Sequence, residues 1–284
     1  MITPFTADGS KVNVAVLKEF VDWQIEQGAH GLIPLGSTGE FLSLTEDERN
    51  VVAKTVIEQA AGRVPVLIGT GAENTADVVR YSQQAQAQGA AGVLIIPPFY
   101  CTPTADEVFA HYRAISDALA IPIMLYNNPA TANIDMLPPL IARLAELDNV
   151  THIKESTMDV TRVRDIIELT DNQLTVFGGV MGYESYMNGA RGWTAVGCNL
   201  MPAKFSQMYV HCVQDLNVDA ARSLYHELLP VIDLVGQHRY VAATKKALEL
   251  MGLPVGPPRA PRLPVAGEDL AWVERTVRDL KLTI

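Results

Sequence analysis

The stretch Val150-Thr151-His152-Ile153-Lys154-Glu155-Ser156 reads as a short buried strand that ends on a lysine. With the run Ile121-Pro122-Ile123-Met124-Leu125 it indicates a parallel sheet, because a sheet covered on both faces carries apolar runs rather than strict alternation. A lysine at the end of such a strand is poorly hydrated, which favours the neutral, nucleophilic amine over the ammonium. Taken alone, an ordinary lysine paired with a carboxylate such as Glu155 is the more common arrangement.

The same strand signal recurs along most of the chain and alternates with helical patterns. Apolar residues at helical spacing run from position 14 to 27, and Thr45 and Glu48 have the spacing of a capping box at the start of the next helix. Short connections rich in Gly and Pro separate the elements. The predicted strands are 31–35, 65–68, 92–96, 121–125, the stretch ending on Lys154, 174–177 and 193–196.

Alternation of strand and helix implies an α/β fold with a parallel sheet, and eight repeats imply a closed (β/α)8 barrel. Seven strands are complete, so the remaining one must come from residues 1–5 and is either short or cut off by the start of the chain. We expect the barrel to occupy residues 1–202. Beyond it the strands stop, and helical patterns predict a C-terminal extension, residues 203–284, packed on the barrel.

Composition restricts the classes of function. The 284 residues carry a formal net charge of −10 with a pI near 5.1, which argues against a nucleic-acid-binding surface. The three widely spaced cysteines predict neither a disulfide framework nor a zinc site, and they fit a reducing cytoplasm. No export signal and no membrane-length apolar run is found, so we expect a cytoplasmic protein that binds small molecules and other copies of itself.

Polar and small residues follow the predicted strands at their carboxyl ends. They are Gly36-Ser37-Thr38-Gly39-Glu40, Tyr126-Asn127-Asn128-Pro129, Lys154 and Gly178-Gly179. Chemistry in a (β/α)8 barrel occurs at these ends, so we expect the residues to meet in space. Backbone N–H groups and hydroxyls of a Gly, Ser and Thr loop suit a carboxylate ligand, although such a loop is more often only a turn. The combination of lysine, tyrosine and carboxylate cradle is more specific than any one of its parts.

The chain resembles the dihydrodipicolinate synthase and N-acetylneuraminate lyase family of pyruvate-dependent class I aldolases. The resemblance extends over nearly the whole chain and rests on these motifs: Thr3-Pro4-Phe5, Gly36-Ser37-Thr38-Gly39-Glu40, Pro97-Pro98-Phe99-Tyr100, Tyr126-Asn127-Asn128-Pro129, Ile153-Lys154-Glu155 and Gly252-Leu253-Pro254-Val255-Gly256. It implies that Lys154 forms a Schiff base with pyruvate or another 2-oxo acid and that Tyr126 shuttles protons. It also implies that Ser37, with Thr38, binds the carboxylate, that Tyr100 acts across a subunit interface, and that the assembly is a homotetramer.

Such chemistry needs neither a metal nor an organic cofactor. An iminium between Lys154 and a 2-oxo acid withdraws electrons, so a neighbouring proton or C–C bond can be lost to give an enamine. Tyr126 can take and return the protons, provided that it lies within hydrogen-bonding reach. Ser37 and Thr38 would orient the carbonyl by holding the carboxylate.

The second substrate is where the chain departs from the better-known members. Synthases of the family usually carry a carboxylate-binding arginine at the position of Thr131, and this loss is not conservative. Sialic acid lyases place acidic residues where this chain has Val180 and Met181, so a long polyol is poorly served. The expected substrate-binding residues are Ser37, Thr38, Gly179, Thr131, Asn133, Val180, Met181 and Val196. Plain loop packing explains Thr131, Asn133, Val180 and Met181 at least as well as contact with a substrate.

Our leading hypothesis is a lyase that reversibly cleaves or forms a 2-keto-3-deoxy-type acid from pyruvate and an aldehyde. Dehydration of such an acid and synthesis of dihydrodipicolinate are alternatives, the latter disfavoured by Thr131. A non-catalytic sensor of 2-oxo acids is a further alternative, because folds can be reused without their function.

Overall fold

The computed structural model describes residues 1–237 and 239–284, which divide into two compact units. The first unit contains residues 1–66, 196–211 and 217–284, and the second contains residues 67–195 and 212–216. Each unit is described by itself below. The predicted division into a barrel, residues 1–202, and a helical extension, residues 203–284, stays a prediction.

The second unit is built on a six-stranded parallel sheet in which each strand pairs with the next along the chain. The strands are β1 (Leu67–Gly69), β2 (Gly92–Ile95), β3 (Ile123–Asn127), β4 (Val150–Glu155), β5 (Thr175–Gly178) and β6 (Gly192–Trp193). All residues of β2 and β3 are buried, as the apolar runs in the sequence predicted for a sheet covered on both faces. Sequential order places the carboxyl ends of neighbouring strands side by side.

Helices connect these strands, and two of them begin with a side-chain cap. They are α3 (Thr75–Ala87), α4 (Ala105–Asp117), α5 (Pro138–Leu144), α6 (Thr161–Leu169) and α7 (Gly182–Met187). The helix α4 starts with a capping box, in which the Thr104 hydroxyl accepts a hydrogen bond from Glu107 N and the Glu107 carboxylate accepts one from Thr104 N. At the start of α3 the Asn74 side chain accepts a hydrogen bond from Asp77 N. At these two helices a local side chain satisfies a backbone N–H group and so marks the start in the sequence.

The first unit is mainly helical. Its helices are α1 (Val14–Glu26), α2 (Glu46–Ala60), α8 (Pro202–Tyr209), α9 (Val218–Val235), α10 (Tyr240–Met251) and α11 (Gly267–Asp279), with short 3₁₀ turns at Ser37–Gly39, Phe41–Ser43 and Val196–Asn199. The predicted capping box of Thr45 and Glu48 is present at the start of α2. The last four helices agree with the helical patterns predicted beyond residue 202, except that α8 is short and a π-helical turn, Val210–Gln214, follows it.

Three predicted strands differ from the structure. Residues 1–5 form no strand, because their backbone groups bond to scattered partners: the Met1 amino group donates to Ile33 O, Ile2 N to Asn199 Oδ1 and Phe5 N to Val255 O. Residues 31–35 contribute only one parallel bridge, between Leu32 and Val66. The predicted strand 193–196 is wrong beyond Trp193, since a 3₁₀ turn begins at Val196.

Among the described residues, no helix is long and apolar enough to cross a membrane.

Candidate functional site

The strands β3 and β4 bring Lys154 and Tyr126 together. The two residues are direct partners in the parallel register, so their side chains lie on the same face of the sheet. Lys154 Nζ lies 4.2 Å from the centroid of the Tyr126 ring. The Tyr126 side chain is 7% exposed, while Lys154 is only half-buried, so the amine is less completely removed from water than the sequence predicted.

The hydroxyl of Tyr126 has a polar neighbour from its own loop. Asn128 Nδ2 donates a hydrogen bond to Tyr126 Oη at 2.9 Å. This contact orients the hydroxyl, since an oxygen that accepts from an amide is left with its own hydrogen to donate elsewhere. A tyrosine beside a lysine at the ends of two adjacent strands can exchange protons with a molecule bound to that lysine.

The predicted carboxylate cradle lies in the first unit. Ser37 and Thr38 occupy the 3₁₀ turn Ser37–Gly39 and are half-buried. The Thr3 hydroxyl stabilises the turn by donating a hydrogen bond to Gly39 O at 2.7 Å. The turn ends at Glu40, whose backbone is in the left-handed conformation with φ of 57°. Lys154 and Tyr126 belong to the second unit, so the assembly of the four residues into one site stays a prediction.

Tyr100 projects from a loop after β2 and is 84% exposed. The loop is fixed by the Glu73 carboxylate, which accepts hydrogen bonds from the backbone N–H groups of Phe99, Tyr100 and Cys101 at 3.1, 3.0 and 2.8 Å. Burial raises the pKa of Glu73, but these N–H groups outweigh it, so the pKa lies below its ordinary value. The exposed Tyr100 ring is therefore attached to a backbone that the Glu73 carboxylate fixes in place.

Two predicted second-substrate residues, Thr131 and Asn133, lie in the loop after β3 and are exposed. The Thr131 hydroxyl donates to Asn128 O at 3.4 Å, within its own turn. Asn133 Nδ2 donates to Tyr100 O at 2.7 Å and so joins this loop to the one that carries Tyr100. Asn133 thus has a structural bond of its own, whereas Thr131 presents a short polar side chain without charge.

The segment after β5 carries the other predicted second-substrate residues of the second unit. Gly179 N donates to Glu155 O at 2.8 Å, and a Cβ at Gly179 would lie 1.7 Å from Ser156 Oγ, so only glycine fits there. Val180 is 48% exposed and Met181 is half-buried. These side chains offer apolar surface and no group that would bind a polyol or a carboxylate.

Val196, the last of the expected substrate-binding residues, was also the end of a predicted strand. The strand prediction is wrong there, since Val196 begins a 3₁₀ turn in the first unit, and its part in substrate binding stays a prediction. As for metals, no group of three or more His, Cys, Asp and Glu that could hold an ion occurs in the described part of the chain.

Sequence reasoning overlooked the polar residues directly behind the Lys154 and Tyr126 pair. Asn127 and Glu155 are 0% and 4% exposed, and the Asp135 carboxylate beside them is gripped by both ends of the Arg162 guanidinium, at 2.5 and 2.7 Å. The Arg162 bonds lower the pKa of Asp135, while burial raises the pKa of Glu155. The sequence does contain a signal for them, because successive side chains of a strand point to opposite faces of the sheet. Asn127 and Glu155, which follow Tyr126 and Lys154 in buried strands, must therefore lie on the opposite face and need hydrogen-bond partners there.

Comparison with known proteins places these features in one family. Residues 1–280 match the dihydrodipicolinate synthetase family. The 4-hydroxy-tetrahydrodipicolinate synthase of Pelobacter propionicus is 36% identical over 93% of this chain and 91% of its own length, and that of Legionella pneumophila is 34% identical over 99% and 97%. The crystal structure of the chloride-inhibited dihydrodipicolinate synthase of Acinetobacter baumannii, complexed with pyruvate, is 29% identical and superposes with a TM-score of 0.96 over 99% of this chain and 97% of that one. Similarity of this extent confirms the predicted fold class, a (β/α)8 barrel with C-terminal helices.

Proposed function

The chain belongs to the dihydrodipicolinate synthetase family of pyruvate-dependent class I aldolases, and we infer from this that Lys154 is the residue that forms the Schiff base. The observation that carries the assignment is the register of β3 and β4, which sets Lys154 Nζ 4.2 Å from the Tyr126 ring. Lys154 in its neutral form attacks the C2 carbonyl of a 2-oxo acid, the carbinolamine loses water, and an iminium remains.

Tyr126 moves the protons in this scheme. It supplies a proton to the departing hydroxide of the carbinolamine and accepts one from C3 when the iminium becomes an enamine. The enamine carbon then adds to an aldehyde, or forms when an aldol C–C bond breaks in the reverse direction. Ser37 and Thr38 bind the carboxylate of the 2-oxo acid, which keeps C2 facing the amine.

Capture with borohydride tests this assignment. With saturating pyruvate the wild type should acquire a pyruvyl adduct on Lys154, whereas Lys154→Met should acquire none. Lys246→Met is the matched control, because Lys246 is paired with Glu249 on the exposed side of α10 and the adduct should persist. An unmodified Lys154 in the wild type would refute the proposal.

For the second substrate we propose a small hydroxylated aldehyde, so that the reaction is the reversible cleavage of a 2-keto-3-deoxy-type acid. This choice is supported by Thr131, which offers no positive charge, and by the apolar Val180 and Met181. Aldehydes without a carboxylate need no guanidinium clamp.

Synthesis of 4-hydroxy-tetrahydrodipicolinate is the second candidate, favoured by the names of the relatives at 34–36% identity. Incubation with pyruvate and aspartate semialdehyde separates the two. We expect condensation to be slow with the wild type and to rise in Thr131→Arg. Ready condensation by the wild type would favour the synthase, and an adduct without turnover of any aldehyde would favour a sensor.

We further propose a homotetramer in which Tyr100 of one copy completes the site of another. The 84% exposure of this ring on a firmly held loop supports that role. Sedimentation analysis should give a mass of four chains, and a monomer would contradict the proposal.

A further inference from the structure

Asn127 and Glu155 immediately follow Tyr126 and Lys154 and are likewise direct partners in the register of β3 and β4. Successive side chains of a strand point to opposite faces, so this second pair lies behind the first. Both side chains are buried, at 0% and 4% exposure. Burial of a carboxyl and a carboxamide is costly unless their hydrogen bonds are made, so their contacts are informative.

The Asn127 carboxamide is bonded on every side. Its Nδ2 donates to Glu155 Oε2 at 3.0 Å, to Asp135 Oδ1 at 3.2 Å and to Met136 O at 3.3 Å. These three acceptors share the two hydrogens of the amide nitrogen. Its Oδ1 accepts from Met136 N at 3.0 Å. One side chain thereby connects the end of β3 to the end of β4 and to the return of the loop that carries Thr131 and Asn133.

The Glu155 carboxylate completes the connection. Its Oε2 accepts from Asn127, and its Oε1 accepts from Thr157 N at 2.8 Å. The backbone repeats the link, since Ser156 N donates to Asn127 O at 3.0 Å and Gly179 N to Glu155 O at 2.8 Å. The ends of β3 and β4 are thus joined by side chains that face away from Lys154 and Tyr126, and a backbone hydrogen bond continues the link to Gly179, directly after β5.

We propose that Asn127 and Glu155 are positioning residues for the Schiff-base reaction, because their hydrogen bond fixes the strand ends that set Lys154 against Tyr126. The inference rests on the proposed function of Lys154. Misplacement of reacting groups by about 1 Å can cost roughly 100-fold in rate, so a bond that sets the separation of two strand ends can control the reaction without touching substrate.

Exchange of the pyruvate methyl hydrogens for deuterium, followed by NMR in D2O, measures the reaction without an aldehyde. Each exchange requires the iminium, loss of a C3 proton to give the enamine, and return of a deuteron from solvent. In Glu155→Gln one of the two acceptor oxygens is lost whichever way the new amide is turned. We expect its kcat for exchange to fall by about 10- to 100-fold, with the KM for pyruvate within about threefold of wild type.

A swapped pair provides the decisive comparison. Asn127→Asp alone sets a third carboxylate against Glu155 and Asp135 and should lose more activity than Glu155→Gln. The double variant Asn127→Asp with Glu155→Gln restores a donor opposite an acceptor, with the roles exchanged. The double variant should therefore be at least fivefold more active than Asn127→Asp. If the two substitutions acted independently, adding Glu155→Gln would lower the activity of Asn127→Asp further.

Tyr112→Phe is the matched control for stability. Tyr112 is fully buried, and its hydroxyl donates to Ile95 O in β2 at 2.8 Å, so its loss removes a buried hydrogen bond without touching β4. We expect a lower melting temperature and an unchanged exchange kcat. If Glu155→Gln and the swapped pair behave like Tyr112→Phe, the positioning role is wrong although the proposed function stands. Absence of both borohydride adduct and exchange in the wild type would remove both together.

Discussion

The nitrogen of Lys154 lies over the face of an aromatic ring, and this contact bears on the chemistry. The negative face of a tyrosine ring attracts a cation. Lys154 Nζ lies 4.2 Å from the Tyr126 centroid, and in the proposed reaction the iminium formed there would be attracted by the ring. A neutral amine would gain little from the same ring, so in the proposed reaction the ring would favour the charged iminium product. The proposed role of Tyr126 therefore has two separable parts, one due to its ring and one due to its hydroxyl.

Substitutions at Tyr126 should separate these contributions. Tyr126→Phe keeps the ring and removes the hydroxyl, so the kcat for pyruvate exchange should fall by about 100- to 10,000-fold with little change in KM. Tyr126→Phe should also slow adduct formation under borohydride, because loss of water from the carbinolamine loses its proton donor, and Tyr126→Leu, which lacks the ring as well, should slow it further. The two variants are compared by NMR exchange and by the rate of adduct formation. A Tyr126→Phe enzyme with near-normal kcat would exclude the hydroxyl as the proton carrier.

His111 is the residue from which a pH dependence of stability is expected. It is 5% exposed, with Nδ1 2.9 Å from Thr75 Oγ1, and burial lowers its pKa to about 4 despite the nearby Glu73 charge. The unfolded chain has a histidine pKa of about 6.5, so between these values the unfolded state binds more protons than the folded state. The contribution of His111 to the free energy of unfolding is therefore complete above about pH 6.5 and is lost progressively as the pH falls from about 6.5 to about 4.

Urea unfolding at pH 7.5 and 4.5 checks this expectation. Between pH 7.5 and 4.5 the free energy of unfolding should fall by about 2 to 3 kcal/mol more in the wild type than in His111→Gln. A pKa difference of about 2.5 units corresponds to about 3 kcal/mol once the pH lies below both pKa values. Carboxyl groups titrate in both proteins and cancel in the comparison. Equal losses in the two proteins would show that His111 is protonated in the folded state at pH 4.5.

At the scale of elements, helices were predicted better than strands for a physical reason. A helix satisfies its own backbone, so its caps, such as Thr45 and Thr104, can be recognised locally. A strand exists only if its neighbour supplies a matching ladder. Residues 1–5 are apolar enough for a strand, with Ile2 and Phe5 fully buried, but their N–H groups find Asn199 and Val255 instead. Partners that lie almost 200 residues or more away cannot be inferred from the pattern.

The cap of α2 should contribute measurably to the stability of the protein. Thr45→Ala removes the acceptor for Glu48 N and should lower the free energy of unfolding by about 1 kcal/mol. Glu48→Gln should cost more, because the Glu48 carboxylate also receives both ends of the Arg259 guanidinium, at 2.5 and 2.6 Å. Thr283→Ala, an exposed change outside any helix, is the control in urea unfolding. A Thr45→Ala protein as stable as this control would mean that water replaces the cap.

The same distinction explains how much of the candidate site was accessible from sequence. Lys154 and Tyr126 could be placed together because each ends an apolar run, and strand ends meet in a parallel sheet. The bond from Asn127 to Glu155 could not, since it depends on the exact register of β3 and β4. The strand predicted to end at Val196 was wrong there, because a local apolar pattern does not tell a strand from a 3₁₀ turn.

On the scale of the whole molecule, a buried ion pair joins distant parts of the sequence within the first unit. Lys245 Nζ lies 2.7 Å from Glu40 Oε1, and the two side chains are 2% and 0% exposed. Lys245 also donates to Pro257 O at 3.1 Å and lies over the Phe5 ring, while Arg259 N donates to Glu40 Oε2 at 2.9 Å. The turn at Ser37 and Thr38 therefore ends on a residue held by α10 and by the segment that follows it.

Removal of one partner of this pair should be far more costly than removal of both charges. Burial lowers the pKa of Lys245 to about 8, against the attraction of Glu40, so the amine remains charged at pH 7. Lys245→Met leaves the Glu40 carboxylate buried without its cation and should lower the free energy of unfolding by about 3 to 5 kcal/mol. Lys246→Met, which affects only an exposed i, i+3 pair with Glu249, should cost less than about 1 kcal/mol.

The double variant Glu40→Gln with Lys245→Met tests the origin of that loss. Glutamine keeps an oxygen for Arg259 N and carries no charge, so most of the stability lost in Lys245→Met should return. Urea unfolding at pH 7 gives the three free energies. If the double variant is as unstable as Lys245→Met, packing of the lysine stem against Phe5 supplies the stability instead of charge pairing. If the double variant regains its stability, the ion pair is dispensable for stability. Borohydride trapping at low pyruvate would then show whether Glu40 is needed for the Ser37 and Thr38 turn to hold a carboxylate.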